Sequence, residues 1–423
     1  MKTILATTYA LNPYKGSEDG MGWNFVRQIA KNNRVYAVTR KNNREHIEKY
    51  LLEQPGPAYH NISFLYYDLP YWMRFWKKGS RGAMLYFYLW QFFLPAFIGL
   101  KGIKFDISHN VNFHNDWTPS FLWVLGKPMV WGPIGHHPKI PAGYLDPFYG
   151  KRALWKDLVT WRLKQVFWKF DPFLKLTLKN ARHIWAMNSS VKEIFPKYAD
   201  KISLMPSVAS EHVTWTDWPR EGFHVLSIGR LVPLKGFDLT LKAFARFYFD
   251  LPIENRKNVM LHIIGDGPER ERLWDLAQKL GVTEAVIFKK WMDRSQLTEY
   301  YARSKAFLFP SHEGAGMVVA EAMSHGLPVL CLDNYGPGEF ITNECGFKAP
   351  VSNPETTVCE LAKGLNQLYG NETLFDRMSK AARKRFDDKF DWNMRSPRLD
   401  LVYNKVCQKN IGAEMDYTLI NHA

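Results

Sequence analysis

The chain has 423 residues, 46% of them hydrophobic, which is enough for two cores of ordinary size, and no internal repeat or low-complexity run interrupts it. Its formal charge is +15, but residues 1–206 hold 29 Lys/Arg against 13 Asp/Glu while the remainder holds 27 against 28, so the basicity belongs to the first half. No nucleic-acid motif accompanies that charge and no His/Cys/Asp cluster has metal-ligand spacing, which sets aside nucleic acid and a bound metal as partners.

Taken in chain order, residues 3–9 read as a short apolar strand, and 12–23 (NPYKGSEDGMGW) as a glycine-punctuated loop, containing Gly16, before a helix through Ala30. Residues 83–100 carry only Gln91 as a strongly polar group and reach the lower length of a membrane span. Crossing a bilayer would carry residues 106–131 to the side opposite the first strand, although the two should share one sheet. A buried or in-plane helix, kinked or ended by Pro95, is expected instead. Residues 128–137 (PMVWGPIGHH) end a strand in a rigid Gly-Pro turn followed by His136 and His137. The strand at 202–205 closes the first half and places a boundary near Met205, Pro206 and Ser207.

The second half opens with 225–236 (VLSIGRLVPLKG), an apolar strand, a Gly-Arg turn and Lys-Gly before a helical run at 237–249. Arg230 offers a planar fork for phosphate oxygens and Lys235 a mobile point charge, a pair suited to a diphosphate that gains negative charge as a bond to it breaks. Residues 261–268 read as the next strand and turn, followed by a helix at 269–280, and 286–292 as another strand and loop. An apolar strand at 305–310 then runs into 311–323 (SHEGAGMVVAEAM), where Glu313 and Glu321 straddle a Gly-Ala-Gly loop that opens an apolar helix. Backbone N–H groups at a helix start, reached over side-chain-free glycines, attract phosphate through unpaired donors and the helix dipole. Carboxylates beside such a site accept hydrogen bonds, so their natural partners are hydroxyls of a sugar or a ribose. Residues 325–330 form a small-residue turn into the next strand, and 390–407 a terminal helix.

The blocks at 225–350 resemble, in order and spacing, the nucleotide-sugar half of the retaining glycosyltransferases of family 4 (glycosyl transferases group 1). The resemblance implies an α/β GT-B fold: two Rossmann-like domains facing across a cleft, with the C-terminal helix crossing back to the first. It divides the chain into an acceptor-binding domain at 1–206, a nucleotide-sugar domain at 207–389, and a crossover helix and tail at 390–423. By that resemblance Arg230, Lys235, Gly16 and the 314–317 amides (Gly314, Ala315, Gly316, Met317) hold the donor diphosphate. Glu321 holds the ribose, and Lys290, Trp291 and Met292 border the nucleobase. Glu313 holds sugar hydroxyls, and His136 or His137 binds the sugar or steadies an oxocarbenium-like state. Sliding the family's strand-then-histidine pattern onto Pro128 puts Ile134 at the histidine position, so the choice between the two histidines stays open.

The expected activity is metal- and cofactor-independent transfer of a sugar from a UDP- or GDP-linked donor to a hydroxyl of a lipid-linked glycan or glycolipid, with retention. No motif side chain is an obvious nucleophile, which favours front-face substitution. A phosphorylase or sucrose-type synthase on soluble sugars, or a non-catalytic nucleotide-sugar sensor, is the alternative; the basic, aromatic first half argues against the former. Eleven of sixteen tryptophans lie in residues 1–206, many beside basic residues, as in 71–78 (YWMRFWKK) and 155–169 (WKDLVTWRLKQVFWK). Basic groups attract anionic headgroups and Trp and Tyr rings settle at that level, so a peripheral contact with an anionic membrane surface is expected. The four cysteines lack Cys-x-x-Cys spacing and the chain opens on a strand rather than a cleavable signal, from which a cytoplasmic setting is expected.

Overall fold

The computed structural model describes residues 1–79, 81–111, 115–145, 151–206, 208–213 and 220–408, arranged in two compact units. The first comprises Met1–His136, Val159–Ser207 and the chain from Trp392 onward; the second comprises His137–Leu158 and Val208–Asp391. The stretch His137–Leu158 therefore belongs with the second unit, although the sequence expectation put all of 1–206 in the first domain. The tail after Gln408 lies outside the described residues.

Among the described residues the first unit holds seven parallel strands: β1 (Thr3–Thr7), β2 (Arg34–Thr39), β3 (Ile62–Tyr66), β4 (Ile107–Asn110), β5 (Met129–Ile134), β6 (Ala181–Ala186) and β7 (Ile202–Leu204). Their order is β3-β2-β1-β4-β5-β6-β7. Strands β1 and β5 are largely apolar because both their faces are buried, whereas β4 between them buries Ser108, His109 and Asn110. Helix α1 (Ser17–Ala30) follows β1. Helix α2 (Ala83–Leu100) has the length and apolar composition of a membrane span, yet Tyr86, Trp90, Leu94 and Ile98 recur every four residues on one buried face. That face joins the core of Leu5, Val38 and Trp131, and Trp90 donates its indole N–H to the Tyr67 carbonyl at 3.0 Å. The helix runs on past Pro95 to Leu100 rather than ending there.

Helix α3 (Lys151–Phe170) precedes β6, and its inner side carries Phe167 against Trp117 and Tyr88 at 5.1 and 6.1 Å between ring centres. The terminal helix α6 (Arg395–Gln408) packs in the first unit through specific groups. Tyr403, fully buried, shares a 2.7 Å hydrogen bond with His109 Nδ1, whose Nε2 lies 2.7 Å from the Gly132 carbonyl. Asp400 accepts from Asn33 at 2.8 Å and Arg182 donates to the Val406 carbonyl at 2.7 Å.

Among the described residues the second unit holds six parallel strands: β8 (Phe223–Ile228), β9 (Val259–Ile264), β10 (Val286–Lys289), β11 (Ala306–Phe309), β12 (Val329–Leu332) and β13 (Gly346–Ala349). They run in the order β10-β9-β8-β11-β12-β13. Helix α4 (Phe237–Asp250) follows β8 and helix α5 (Met317–Ser324) follows β11. Both sheets thus reverse order beside their first strand, and in open α/β sheets ligands bind outside the carboxyl ends at that point.

Candidate active site

In the second unit that point is built from the loops after β8 and β11, neighbouring strands of the sheet. After β8 the chain turns at Gly229, exposes the Arg230 side chain, buries Leu231, and makes a short turn over Pro233–Lys235. Gly236 follows at φ +68, where a Cβ would meet the Pro310 carbonyl oxygen at 2.1 Å; glycine is required there on both grounds. The tight approach delivers Lys235 to Glu313, Nζ to Oε1 at 2.5 Å, with both side chains mostly buried. Lys235 Nζ also lies 5.0 Å from the centre of the Phe309 ring. Burial pushes the Glu313 carboxyl up from its ordinary range and the Lys235 ammonium pulls it back down.

The loop carrying Glu313 is anchored on backbone carbonyls. The Ser311 hydroxyl and His312 N–H both donate to the Leu234 carbonyl, at 3.2 and 2.9 Å, and the Ser311 carbonyl accepts from Asn334 at 2.8 Å. A Cβ at Gly336 would lie 2.0 Å from the Glu313 carbonyl oxygen, so the turn at 334–338 can approach only without a side chain. Gly316 has extended backbone at the start of α5, and a Cβ there would press on Phe309 and Val319 at 3.1 and 3.3 Å; Ala315 and Met317 flank it. The Gly314 N–H, expected to face a diphosphate, donates to His137 Nδ1 at 3.1 Å. Beyond it Tyr144 shares a 2.7 Å hydrogen bond with Thr357 and packs edge-on to His312, ring centres 4.7 Å apart. Residues 137–145 thus strap this loop within the second unit.

Glu321 lies on α5 and accepts from the Tyr301 hydroxyl at 3.1 Å. Lys290 and Trp291 are exposed in the loop after β10, Trp291 at 74%, while Met292 packs against the core of the same unit. No group of three or more His, Cys, Asp or Glu suited to a metal occurs among the described residues.

The two candidate histidines part company: His136 belongs to the first unit and His137 to the second. His136 is buried, with Nδ1 2.7 Å from Asp116 Oδ2, itself 1% exposed, and its carbonyl accepts from Asn188 at 2.9 Å. The rings of Trp168 and Trp161, both on α3, stand 5.2 and 5.9 Å from it. Gly16 caps α1 at φ −84, and a Cβ there would meet nothing within 4 Å, so nothing local demands glycine. Sequence reasoning missed Asp116, Ser311, Asn334, Gly336 and Tyr144. The Asn-Tyr-Gly-Pro-Gly run at 334–338 was a visible turn signal, but Asp116 stands in an irregular stretch with no periodic pattern to single it out.

This pair of sheets places the chain in the GT-B class. The fold matches Anabaena HepE in complex with UDP and glucose (TM-score 0.60, 15% identity, 96% of this chain and 100% of that one). It also matches sucrose-phosphate synthase from Thermosynechococcus elongatus (TM-score 0.63, 17% identity, 96% and 99%). Residues 216–385, which carry Arg230, Lys235, Glu313 and Glu321, match the family model of glycosyl transferases group 1. Over 165 residues the chain is 32% identical to the lipopolysaccharide core biosynthesis glycosyltransferase LpsE of Rhizobium meliloti, covering 38% of this chain and 44% of that protein. The chain spans less than half the length of the curated relatives it first matches.

Proposed function

We propose that the chain is a retaining glycosyltransferase that moves a sugar from a UDP- or GDP-linked donor to a hydroxyl of a lipid-linked glycan or glycolipid, without a metal, at the cytoplasmic face of a membrane. The observation that carries the reading is the Lys235–Glu313 pair beside the 314–317 loop, inside the stretch matched by the group 1 model. A diphosphate would draw Lys235 toward phosphate, and a mostly buried carboxylate losing its cation needs new donors. Sugar hydroxyls supply them, so phosphate and sugar binding are coupled through one ion pair. As the bond to phosphate breaks, Lys235 and Arg230 meet growing negative charge, which lowers the barrier because the contact strengthens in the transition state. A leaving phosphate oxygen then takes the acceptor hydroxyl's proton on the same face. The lipid-linked acceptor rests on the basic, tryptophan-rich first half and on the likeness to a lipopolysaccharide core enzyme.

A thermal-shift screen of UDP, GDP and ADP sugars, followed by NMR of the anomeric product with and without EDTA, tests donor, retention and metal independence together. Calorimetry with the nucleoside diphosphate separates the two glutamates. Glu321→Gln should weaken binding of the free nucleotide, and Glu313→Gln should chiefly lower turnover. The opposite pattern reverses their roles, and no binding of any nucleotide sugar overturns the reading.

A further inference from the structure

Helix α3 has two sides in different surroundings. Its inner side is fixed by Trp161, Phe167 and Trp168, which touch His136, Trp117, Tyr88 and one another. Its outer side holds Val159, Leu163, Val166 and Phe170, exposed at 43%, 47%, 52% and 70%. Their spacing of four, three and four residues puts them within an arc of about 60° on a helix of 3.6 residues per turn. Trp155, 67% exposed, continues the line one turn earlier. Arg162 and Lys169, both exposed, border the stripe along one edge, and no Asp or Glu occurs from 158 to 170. An apolar stripe of this kind, held in water by a helix anchored on its other side through Trp161, Phe167 and Trp168, has hydrophobic stabilisation still to gain from a partner.

We infer that the outer face of α3 is the surface by which this chain enters the headgroup layer of an anionic membrane, with Val159, Leu163, Val166 and Phe170 immersed and Arg162 and Lys169 on the phosphates. This rests on the membrane-side reading proposed above and assigns it to one helix, in place of the broader basic half, of Lys77 and Lys78, or of α2, which buries Tyr86, Trp90, Leu94 and Ile98 in the core and whose exposed Leu85 and Phe92 have no cation on the helix beside them. The charge pattern chooses lipid over protein: two cations and no carboxylate along the stripe suit an anionic headgroup plane. The assignment has a functional edge. Trp161 and Trp168, on the inner side of this same helix, are the rings beside His136, so a helix lying in the bilayer surface would hold the candidate sugar-side histidine at a fixed depth from lipid-borne hydroxyls.

The test is flotation of the full chain with vesicles of 30% phosphatidylglycerol in phosphatidylcholine and with pure phosphatidylcholine, for wild type, Val159→Glu/Val166→Glu and Lys77→Glu/Lys78→Glu. Since the α3 residues are exposed, their variant should keep the wild-type melting temperature and nucleotide affinity. Its partition onto phosphatidylglycerol vesicles should fall more than tenfold, against at most a few-fold loss for the Lys77/Lys78 variant. Wild-type flotation by the α3 variant overturns the inference, as does a change from dimer to monomer in that variant with flotation intact, which would make the stripe a contact between two copies. Loss of flotation with donor binding retained supports it. If the wild type floats through α3 and yet processes no nucleotide sugar, the catalytic reading fails while this one stands.

Discussion

The second unit concentrates its candidate chemistry in loops anchored on backbone carbonyls: the Ser311 hydroxyl and His312 N–H on Leu234, the Asn334 amide on Ser311, with glycines at 236 and 336 where no side chain fits. The first unit does the reverse. Its candidate pair, His136 and Asp116, is held by side chains, among two tryptophans of α3, and its remaining character is spread over the surface as charge and aromatic rings. Backbone-built sites need particular residues at particular spacings and so leave motifs; side-chain-built sites can be assembled from many directions and leave composition.

The sharpest way to break that contrast is at the diphosphate end of the second unit. Arg230 is exposed, so Arg230→Ala removes the proposed phosphate contact with little cost to folding, and kcat should fall by roughly 10². Lys235→Ala should fall at least as far and also lose stability, because it leaves Glu313 mostly buried without its cation. Turnover by Arg230→Ala at the wild-type rate, with the melting temperature unchanged, would remove the arginine from the site.

The first unit is probed through the pair that the sequence did not disclose. Asp116→Asn keeps the shape but replaces a charged acceptor, so His136 loses the partner that fixes its ring and tautomer. Loss of one charge-assisted hydrogen bond predicts a drop in kcat of roughly tenfold with KM for the donor little changed. His136→Gln should drop further, and the double variant should be no worse than His136→Gln alone, since a positioning residue acts only through its partner. Additive losses would show that Asp116 works independently.

How much was legible follows the same division. The parallel strands could be read from apolar runs such as 225–228 and 306–309, because strands buried on both faces have no alternative pattern. Helix α2 could be read as buried only through an argument about which strands share a sheet, since composition alone also fits a membrane span. The pairing of Lys235 with Glu313 was not legible: each was given a ligand of its own, and only the close approach at Gly236 shows them satisfying one another. Nor did spacing reveal that His136 and His137, adjacent in the chain, belong to different units.

Acid sensitivity compares the units by stability. Burial lowers His109 to about 4 and His183 to about 3 in the first unit, and His312 and His325 to about 4 in the second. An unfolded histidine binds its proton near pH 6.5, so below that pH the unfolded state holds protons that the native state refuses. Stability is therefore full above about pH 6.5 and falls steadily toward pH 4. In the first unit the loss should come with undocking of α6, because His109 meets Tyr403. Urea unfolding at pH 7.5 and 5.0, read alongside hydrogen exchange in 395–408, measures both; a midpoint unchanged between the two pH values would contradict the buried neutral state of these rings.

The smallest expected effect is also the most discriminating for the second unit. His137 Nδ1 takes the Gly314 N–H, the amide proposed for a diphosphate oxygen, so on that proposal imidazole and donor compete for one amide. Removing the competitor with His137→Ala should release a hydrogen bond of about 1 kcal/mol and tighten nucleoside diphosphate binding by about fivefold. The alternative role, a sugar contact in the reacting complex, predicts unchanged diphosphate affinity with lower kcat, because a free nucleotide carries no sugar to touch. Calorimetry with the nucleoside diphosphate and turnover with the sugar nucleotide, on the same protein, tell them apart. Tighter binding identifies the strap at 137–145 as something the donor displaces on entry; unchanged binding with slower turnover returns His137 to the sugar and leaves His136 with Asp116 as a pair whose task lies in the first unit.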